Sequence, residues 1–286
     1  MATRVIDDSK LNAIAVAIQT KDNGGQMTVD EMPDRVEAIP GFIGLIDNTI
    51  SGEVVIPEGI TTIPDNKFNN CNLITKLTLP STLTTIGASA FRYCTGITYL
   101  SIPYNIQTVN TFGLQNLTSL ESLNVKNLEN WVLSTQYANS AFSGSSNWTL
   151  YVNDIPMKNI DLSGLSITAI TSIFPGCDME NFIMPNTIEI ITASAFRSCS
   201  SLKKITIPSS VKTINISAFQ ACTSLYFIDL TSFTDPQAIP TLANANAFSG
   251  IPSTAQFIVK NQEMYDAFTT TTNWSTYASE FVIEGA

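Results

Sequence analysis

Five cysteines, Cys71, Cys94, Cys177, Cys199 and Cys222, are the side chains best suited to nucleophilic or metal chemistry in this 286-residue chain. Their spacing argues against both uses. Cys94 follows Cys71 by 23 residues, and Cys177, Cys199 and Cys222 follow one another by 22 and 23. A zinc centre draws its ligands from closely spaced thiolates or from imidazoles, and a nucleophilic thiol needs a base beside it. The chain contains no histidine, which also removes every Ser-His and Cys-His dyad. An odd count in periodic positions is no disulfide framework, so the thiols read as small buried groups at one recurring structural position. Asp7-Asp8 and Asp30-Glu31 fall at helix starts, where carboxylates complement the helix dipole. Gly24-Gly25 follows a helix instead of opening one, and no Gly-x-x-x-x-Gly-Lys-Ser/Thr loop is present to cradle phosphate. Asn147-Trp148-Thr149 and Asn273-Trp274-Ser275 are glycosylation sequons of the kind chance supplies in an Asn- and Thr-rich chain. No catalytic, cofactor-binding or metal-binding residue is read, and a non-enzymatic protein is expected.

Composition narrows the partners. With 14 Lys+Arg against 24 Asp+Glu the net charge is −10, the opposite of a nucleic-acid-binding footprint. Only 13% of residues are charged and 44% are hydrophobic, yet no run reaches the ~18 apolar residues of a membrane span, so no membrane insertion is expected. The opening Met1-Ala2-Thr3-Arg4-Val5-Ile6-Asp7-Asp8 places acids where a secretory signal would place its apolar stretch, so no signal peptide is read. A location on an extracellular surface or a virion then requires another export route.

What must position any functional residue is a repeat. Ile56-Pro57-Glu58-Gly59-Ile60-Thr61-Thr62-Ile63, Leu79-Pro80-Ser81-Thr82-Leu83-Thr84-Thr85-Ile86 and Ile207-Pro208-Ser209-Ser210-Val211-Lys212-Thr213-Ile214 align without gaps. Pro57, Pro80 and Pro103 stand 23 residues apart, as do Phe68 and Phe91, and Phe196 and Phe219. Each unit alternates apolar and polar residues up to a proline, which lacks a ladder donor and ends the strand. Alternation points Leu77, Leu79, Leu100, Ile102, Leu123, Val125, Ile205, Ile207, Ile228 and Leu230 into a core, with the Phe and Ile positions filling its far side. Ala141-Phe142-Ser143-Gly144 recurs as Ala247-Phe248-Ser249-Gly250, so the array is a tandem pair of blocks. Residues Ile155 to Ala169 are expected to break the period before Ile170, Phe174 and Cys177 resume it.

The segments Leu77-Thr78-Leu79-Pro80, Ile86-Gly87 and Ala90-Phe91-Arg92-Tyr93-Cys94 closely resemble the BspA-like leucine-rich repeat family, from about residue 50 to the end. The resemblance implies a curved leucine-rich repeat solenoid with a concave sheet of short parallel strands and short helical turns. It also implies a role in surface adhesion and recognition, with no catalytic residues. Two departures stand out: Phe112-Gly113-Leu114 and Leu117 replace the phenylalanine and cysteine of the third repeat, and the family's usual export signal is missing.

Residues 1–40 lie outside the repeat and read as a small two-helix module. Leu11, Ile14 and Ile18 share a helix face after an Asp8-Ser9 cap, and Asn23-Gly24-Gly25 ends the run. Asp30 is preferred over Thr28 as the second cap because it leaves Pro33 in the first turn, where its missing N–H costs little. Met32, Val36 and Ile39 then face the first helix. The stretch from Leu11 to Ile39 resembles the leader of tail-associated structural proteins from phages and prophages of Gram-positive bacteria. It serves equally as a cap over the first repeat, which arrays of this kind require. Phe268, Trp274, Tyr277 and Phe281 are expected to cap the other end. The domain reading is therefore 1–40 helical module, 41–153 first repeat block and 154–286 second block with its cap.

Repeat proteins bind across the extended surface of their strands. The outward positions in this register are Lys76, Thr78, Tyr99, Ser101, Ser122, Asn124, Tyr151, Lys204, Thr206, Phe227 and Asp229, with Tyr99, Tyr151 and Phe227 suited to stacking on a sugar or filling a protein pocket. The expected function is recognition of a protein or glycan on a cell surface, within a phage tail or prophage assembly. A bacterial cell-surface adhesin binding host matrix or other bacteria, and a structural spacer without a ligand, stay open beside it.

Overall fold

Two residues in each repeat adopt left-handed φ, and they decide where the backbone amides point. Asn66, Ser89 and Phe112 (φ 60°, 55° and 60°) stand 23 residues apart, and so do Asn70, Tyr93 and Asn116 (65°, 60° and 61°). Ser194 and Ser217, with Ser198 and Ala221, continue the pattern. Between these residues alternate amides turn in opposite directions. Lys67, Asn69 and Cys71 donate three residues back, to Pro64, Asn66 and Phe68; Asn66, Phe68 and Asn70 donate to Ala88, Ala90 and Arg92 of the next repeat. Ser89 to Cys94 and Ser194 to Cys199 repeat the alternation. The helical turns expected from the sequence are instead consecutive tight turns, because the left-handed residues interrupt the helical ladder and redirect every second N–H to the neighbour.

The computed structural model describes residues 51–56, 58–135, 144–145, 147–172 and 174–285. The expected two-helix module over residues 1–40 lies outside the described residues. The chain forms two units, one comprising the residues up to Ser145 with Tyr151–Asp154, the other Ser146–Leu150 with Ile155–Ala286.

In the first unit the strands Gly52–Val55, Ile74–Thr78, Tyr99–Ile102 and Ser122–Val125 pair in parallel, in chain order. Their register sets Glu53, Lys76, Tyr99 and Ser122 in one row and Val55, Thr78, Ser101 and Asn124 in the next. A second sheet joins Thr62–Ile63, Thr85–Ile86 and Thr108–Val109. In the second unit the long strands are Asn159–Asp161, Asn181–Ile183, Lys204–Thr206, Phe227–Asp229, Gln256–Val259 and Phe281–Ile283, again parallel in chain order. The short strands Ala169–Ile170, Ile190–Ile191, Thr213–Ile214 and Thr241–Leu242 form its second sheet. Residues Ile155 to Ala169 therefore do not break the period. Ile160, Leu162, Ile167 and Ile170 occupy the same positions as Phe182, Met184, Ile188 and Ile191, with the unit shortened by one or two residues, and all eight are buried.

Every inward residue expected from alternation, from Leu77 through Leu230, is buried. At ~1.5–3 kcal/mol per fully buried aliphatic side chain, this strip is the main stabilising term of each repeat. Opposite it runs a spine of phenyl rings. Phe68 stacks on Phe91 at 5.0 Å, and in the second unit Phe174, Phe196, Phe219 and Phe248 stack in series at 6.3, 5.1 and 4.9 Å, all within 8° of parallel. Leu114 replaces the ring in the third repeat and is equally buried. Gly87 is required by close approach, since a Cβ there would lie 2.6 Å from the Asp65 amide nitrogen and 2.7 Å from the Ile63 carbonyl. Threonine hydroxyls add bonds of the same sense: Thr84 and Thr98 donate to the carbonyls of Thr61 and Thr75, 23 residues earlier.

Phe268, Trp274, Tyr277 and Phe281 close the second unit as expected. The Trp274 indole N–H donates to the Pro240 carbonyl at 2.8 Å, and its ring packs on Phe248 and Phe268. The Tyr277 hydroxyl accepts from the Phe248 amide and donates to the Ala245 carbonyl. The helix Gln262–Thr270 is capped by Asn261, which accepts from the Met264 amide at 3.0 Å, and Phe281–Ile283 forms the last strand.

The left-handed positions generate a prediction. Gly176 and Gly250 occupy the position held by Ala221 at φ 61°. Ala221→Gly removes the Cβ penalty at that φ, so the variant gains about 0.5–1 kcal/mol against chemical denaturation. An unchanged or lower stability would show that the left-handed backbone costs this protein nothing.

Candidate recognition surface

The buried side of each repeat consumes the chemistry that the cysteines carry. All five thiols are buried and none forms a disulfide. Cys94, Cys199 and Cys222 donate from Sγ to the carbonyls of Phe68, Phe174 and Phe196, at 2.9, 3.1 and 3.1 Å. Each thiol thus joins its own repeat to the ring-bearing residue of the preceding one. Sequence spacing locates the thiols but not this donor role, which depends on a carbonyl about 25 residues away. Burial pushes the Cys94 and Cys177 thiols up to about 12 and raises that of Cys199 well above its ordinary value. Among the described residues no group of three or more Cys, Asp or Glu side chains could hold a metal ion, and no helix is long and apolar enough to cross a membrane.

The outward face of the long strands differs between the two units. Of the outward positions read from the sequence, Lys76, Thr78, Tyr99, Ser101, Ser122, Asn124 and Tyr151 belong to the first unit and Lys204, Thr206, Phe227 and Asp229 to the second. In the first unit most polar groups are satisfied by each other. Lys76 pairs with Glu53 at 2.8 Å and lies 6.0 Å from the centre of the Tyr99 ring. Tyr99, Thr78, Ser101, Ser122 and Tyr151 are half-buried.

Asn124 corrects the sequence reading, for it is 1% exposed and offers no contact surface. Its amide nitrogen donates to the Tyr99 hydroxyl at 3.3 Å and to Asp154 Oδ1 at 2.5 Å, and its oxygen accepts from the Asp154 backbone amide at 3.2 Å. Asn153 and Asp154, at φ 51° and 67°, turn the chain back over it. The carboxylate of Asp154 also takes Lys126 at 2.8 Å, and that bond, first, holds it below the usual carboxylate range.

The second unit presents an open row. Asn159, Asn181, Lys204, Phe227 and Gln256 lie side by side on five neighbouring strands, and all five are exposed. Asp161, Ile183, Thr206, Asp229 and Ile258 form the adjacent row. Asp229 meets Lys204 at 3.2 Å and accepts from Thr206 at 3.3 Å. Burial alone would raise its carboxyl; the Thr231 hydroxyl and amide and the Lys204 ammonium outweigh it and hold the carboxyl below its ordinary value. Phe227 and Ile183 are 45% and 51% exposed. Asn159, Asn181, Asp161, Ile183 and Gln256 escaped the sequence reading because the repeat that begins at Ile155 is shortened. The regular register behind Lys204 would have found Asn181, one full unit earlier.

These stacked parallel strands, with a proline ending each and a phenyl ring behind each, define a leucine-rich repeat protein. The model of the BspA type leucine rich repeat region matches six copies, over residues 47–171 and 166–268, and the chain belongs to this family. Three solved structures are similar to it. A leucine rich cell surface protein from Faecalibacterium prausnitzii shares 20% identity over 73% of this chain, with a TM-score of 0.38. The chain spans 65% of that protein's length. The leucine-rich repeat protein of Treponema pallidum shares 16% identity over 71% of this chain and 79% of its own, with a TM-score of 0.40. One from Bacteroides ovatus shares 18% over 82% of this chain and 70% of its own, at 0.42. No curated protein matches the chain in sequence.

Two outcomes are expected from this chemistry. Asn124→Ala removes three hydrogen bonds and destabilises the protein by about 1–3 kcal/mol in denaturant unfolding. The thiols resist iodoacetamide in the native protein and react on unfolding. Because unfolded thiols ionise from 9.0 while Cys94 and Cys177 hold their protons to about 12, stability is level below pH 9.0 and falls as pH rises above it. A thiol alkylated at the same rate in native and denatured protein would contradict the burial.

Proposed function

We propose that this chain is a non-enzymatic recognition protein. Its repeats form a solenoid, and it binds a partner on a cell surface through the outward face of its long strands. The observation that carries this reading is the row Asn159, Asn181, Lys204, Phe227 and Gln256, in which five neighbouring strands each offer an exposed side chain to solvent. Stacked repeats bind across such extended surfaces, and membership of the BspA-type family agrees with that use. A chain without histidine, whose thiols are buried, leaves the described surface with recognition groups and no nucleophile activated by a base.

The finer reading places the protein in a phage tail or prophage particle, with residues 1–40 as a helical module that caps the array and attaches it. It rests on the likeness of Leu11 to Ile39 to leaders of tail-associated proteins. The test is binding of fluorescently labelled protein to a panel of intact Gram-positive bacteria, set beside mammalian cells and matrix proteins. Strain-selective binding to bacteria is the expected result. Binding to matrix or mammalian cells would replace the phage reading with that of an adhesin. Binding to neither would overturn recognition and leave a structural spacer.

A further inference from the structure

The open row of the second unit has a chemical character of its own. Three of its five members are amides, Asn159, Asn181 and Gln256; the other two are an ammonium and a phenyl ring. Its one cation, Lys204, is matched by Asp229 across the strand, so the row presents little free charge of either sign at its centre. Asp161, at the end of the adjacent row, is tied to the Ser163 amide at 2.8 Å. The amides, by contrast, are under-used. Asn181 donates one bond to Asn159 Oδ1, at 2.6 Å, which leaves a donor on each nitrogen and the Asn181 oxygen directed to solvent. A side-chain amide offers donor and acceptor together, which is what a hydroxyl group needs in a partner.

Phe227 supplies the other half of the chemistry. Beneath it Ile228 is buried, so the ring rests on a fixed strand. An exposed ring on a rigid sheet, with polar groups to either side, is a stacking platform for the C–H face of a sugar. Strands are about 4.8 Å apart, so the row from Asn159 to Gln256 is about 19 Å long, with one side chain for each step. That step is close to the length of one pyranose ring. An extended oligosaccharide laid across the strands would therefore meet a new side chain at every ring.

Resting on the recognition reading above, we infer that the outward row of the second unit binds an uncharged oligosaccharide of the cell surface, stacked on Phe227 and hydrogen-bonded by Asn159, Asn181 and Gln256. A polyanionic glycan is disfavoured, since the chain carries a net charge of −10 and Lys204 is already paired. A protein partner fits less well, because its interface needs a broad apolar centre of roughly 800 Å² per side, and the row is one side chain wide. The first unit takes no part, since its outward polar groups are bound to one another.

The experiment uses the full chain and the bacterial strain it binds best. Cells are oxidised with periodate, which opens the diols of sugar rings, or digested with proteinase K, and binding is measured on each. Periodate abolishes binding, proteinase K leaves it intact, and raising the salt to about 1 M, where the screening length is ~3 Å, leaves it intact as well. Phe227→Ala weakens binding roughly tenfold or more, as removal of an interface anchor does, and Asn159→Ala weakens it less; both leave the unfolding transition in place. Tyr99→Ala, in the first unit, leaves affinity unchanged. Loss of binding to proteinase K but not to periodate would overturn the inference while leaving surface recognition standing, and loss in salt would point to a charged glycan instead. Full binding by Phe227→Ala would overturn the assignment of the row. A protein that binds no cell at all would overturn the recognition reading itself.

Discussion

Everything in this molecule depends on what the left-handed residues do to the backbone between the two strand rows. A chain that returned to its starting direction through a helix would satisfy its amides internally and leave neighbouring repeats joined only by side chains. Residues such as Asn66 and Asn70 prevent that by sending alternate N–H groups to the next repeat, so the main chain itself becomes the link. The conformation is unfavourable for a residue with a Cβ, and most of these positions hold Asn or Ser. Tyr93 and Phe112 are the exceptions, and the Arg92 guanidinium lies over both rings, at 4.7 and 4.9 Å. The packing thus offsets a backbone that those residues would not choose alone.

Once the backbone links are set, the interior becomes repetitive by necessity. A ring placed at one position meets the ring 22 or 23 residues on, nearly parallel, and a thiol three residues after it reaches the carbonyl of the preceding ring-bearing residue. Cysteine suits the place because it is small and apolar and still has a donor, whereas alanine would leave the carbonyl unmet. The reactivity of the thiol is suppressed by the same burial that makes it useful. Chemistry that looks available in the sequence is absorbed by architecture.

The architecture was largely legible because its signals are periodic. Leu77, Leu100 and Ile205 follow from alternation, Phe196 and Phe219 from their spacing, and the cap residues Trp274 and Phe281 from large aromatic side chains past the last repeat. What was not legible depends on partners set by folding. Asn124 has the same register as Thr78 and Ser101, yet it is buried because Asp154, thirty residues on, turns back over it. Nothing within Asn124's own repeat reports that turn. The repeat that starts near Ile155 was hidden for the opposite reason: its residues are regular in space and irregular in count, since a turn can lose a residue without moving the strands.

The contrast between the two outward faces follows from this division of labour. Inward positions are constrained by neighbours on every side, so they converge on the same few residue types. Outward positions are constrained only across the strands, at a fixed spacing, and each can change at small cost to folding. Where the changes pair with one another, as Glu53 does with Lys76 and Asn124 with Asp154, the face becomes part of the scaffold and its polar groups are spent. Where they do not, as at Gln256 and Phe227, the same geometry leaves donors, acceptors and a ring unused at regular intervals. Specificity in such a molecule is then a matter of order along the row. The fold supplies the ruler, and the sequence of side chains across the strands determines what can be measured against it.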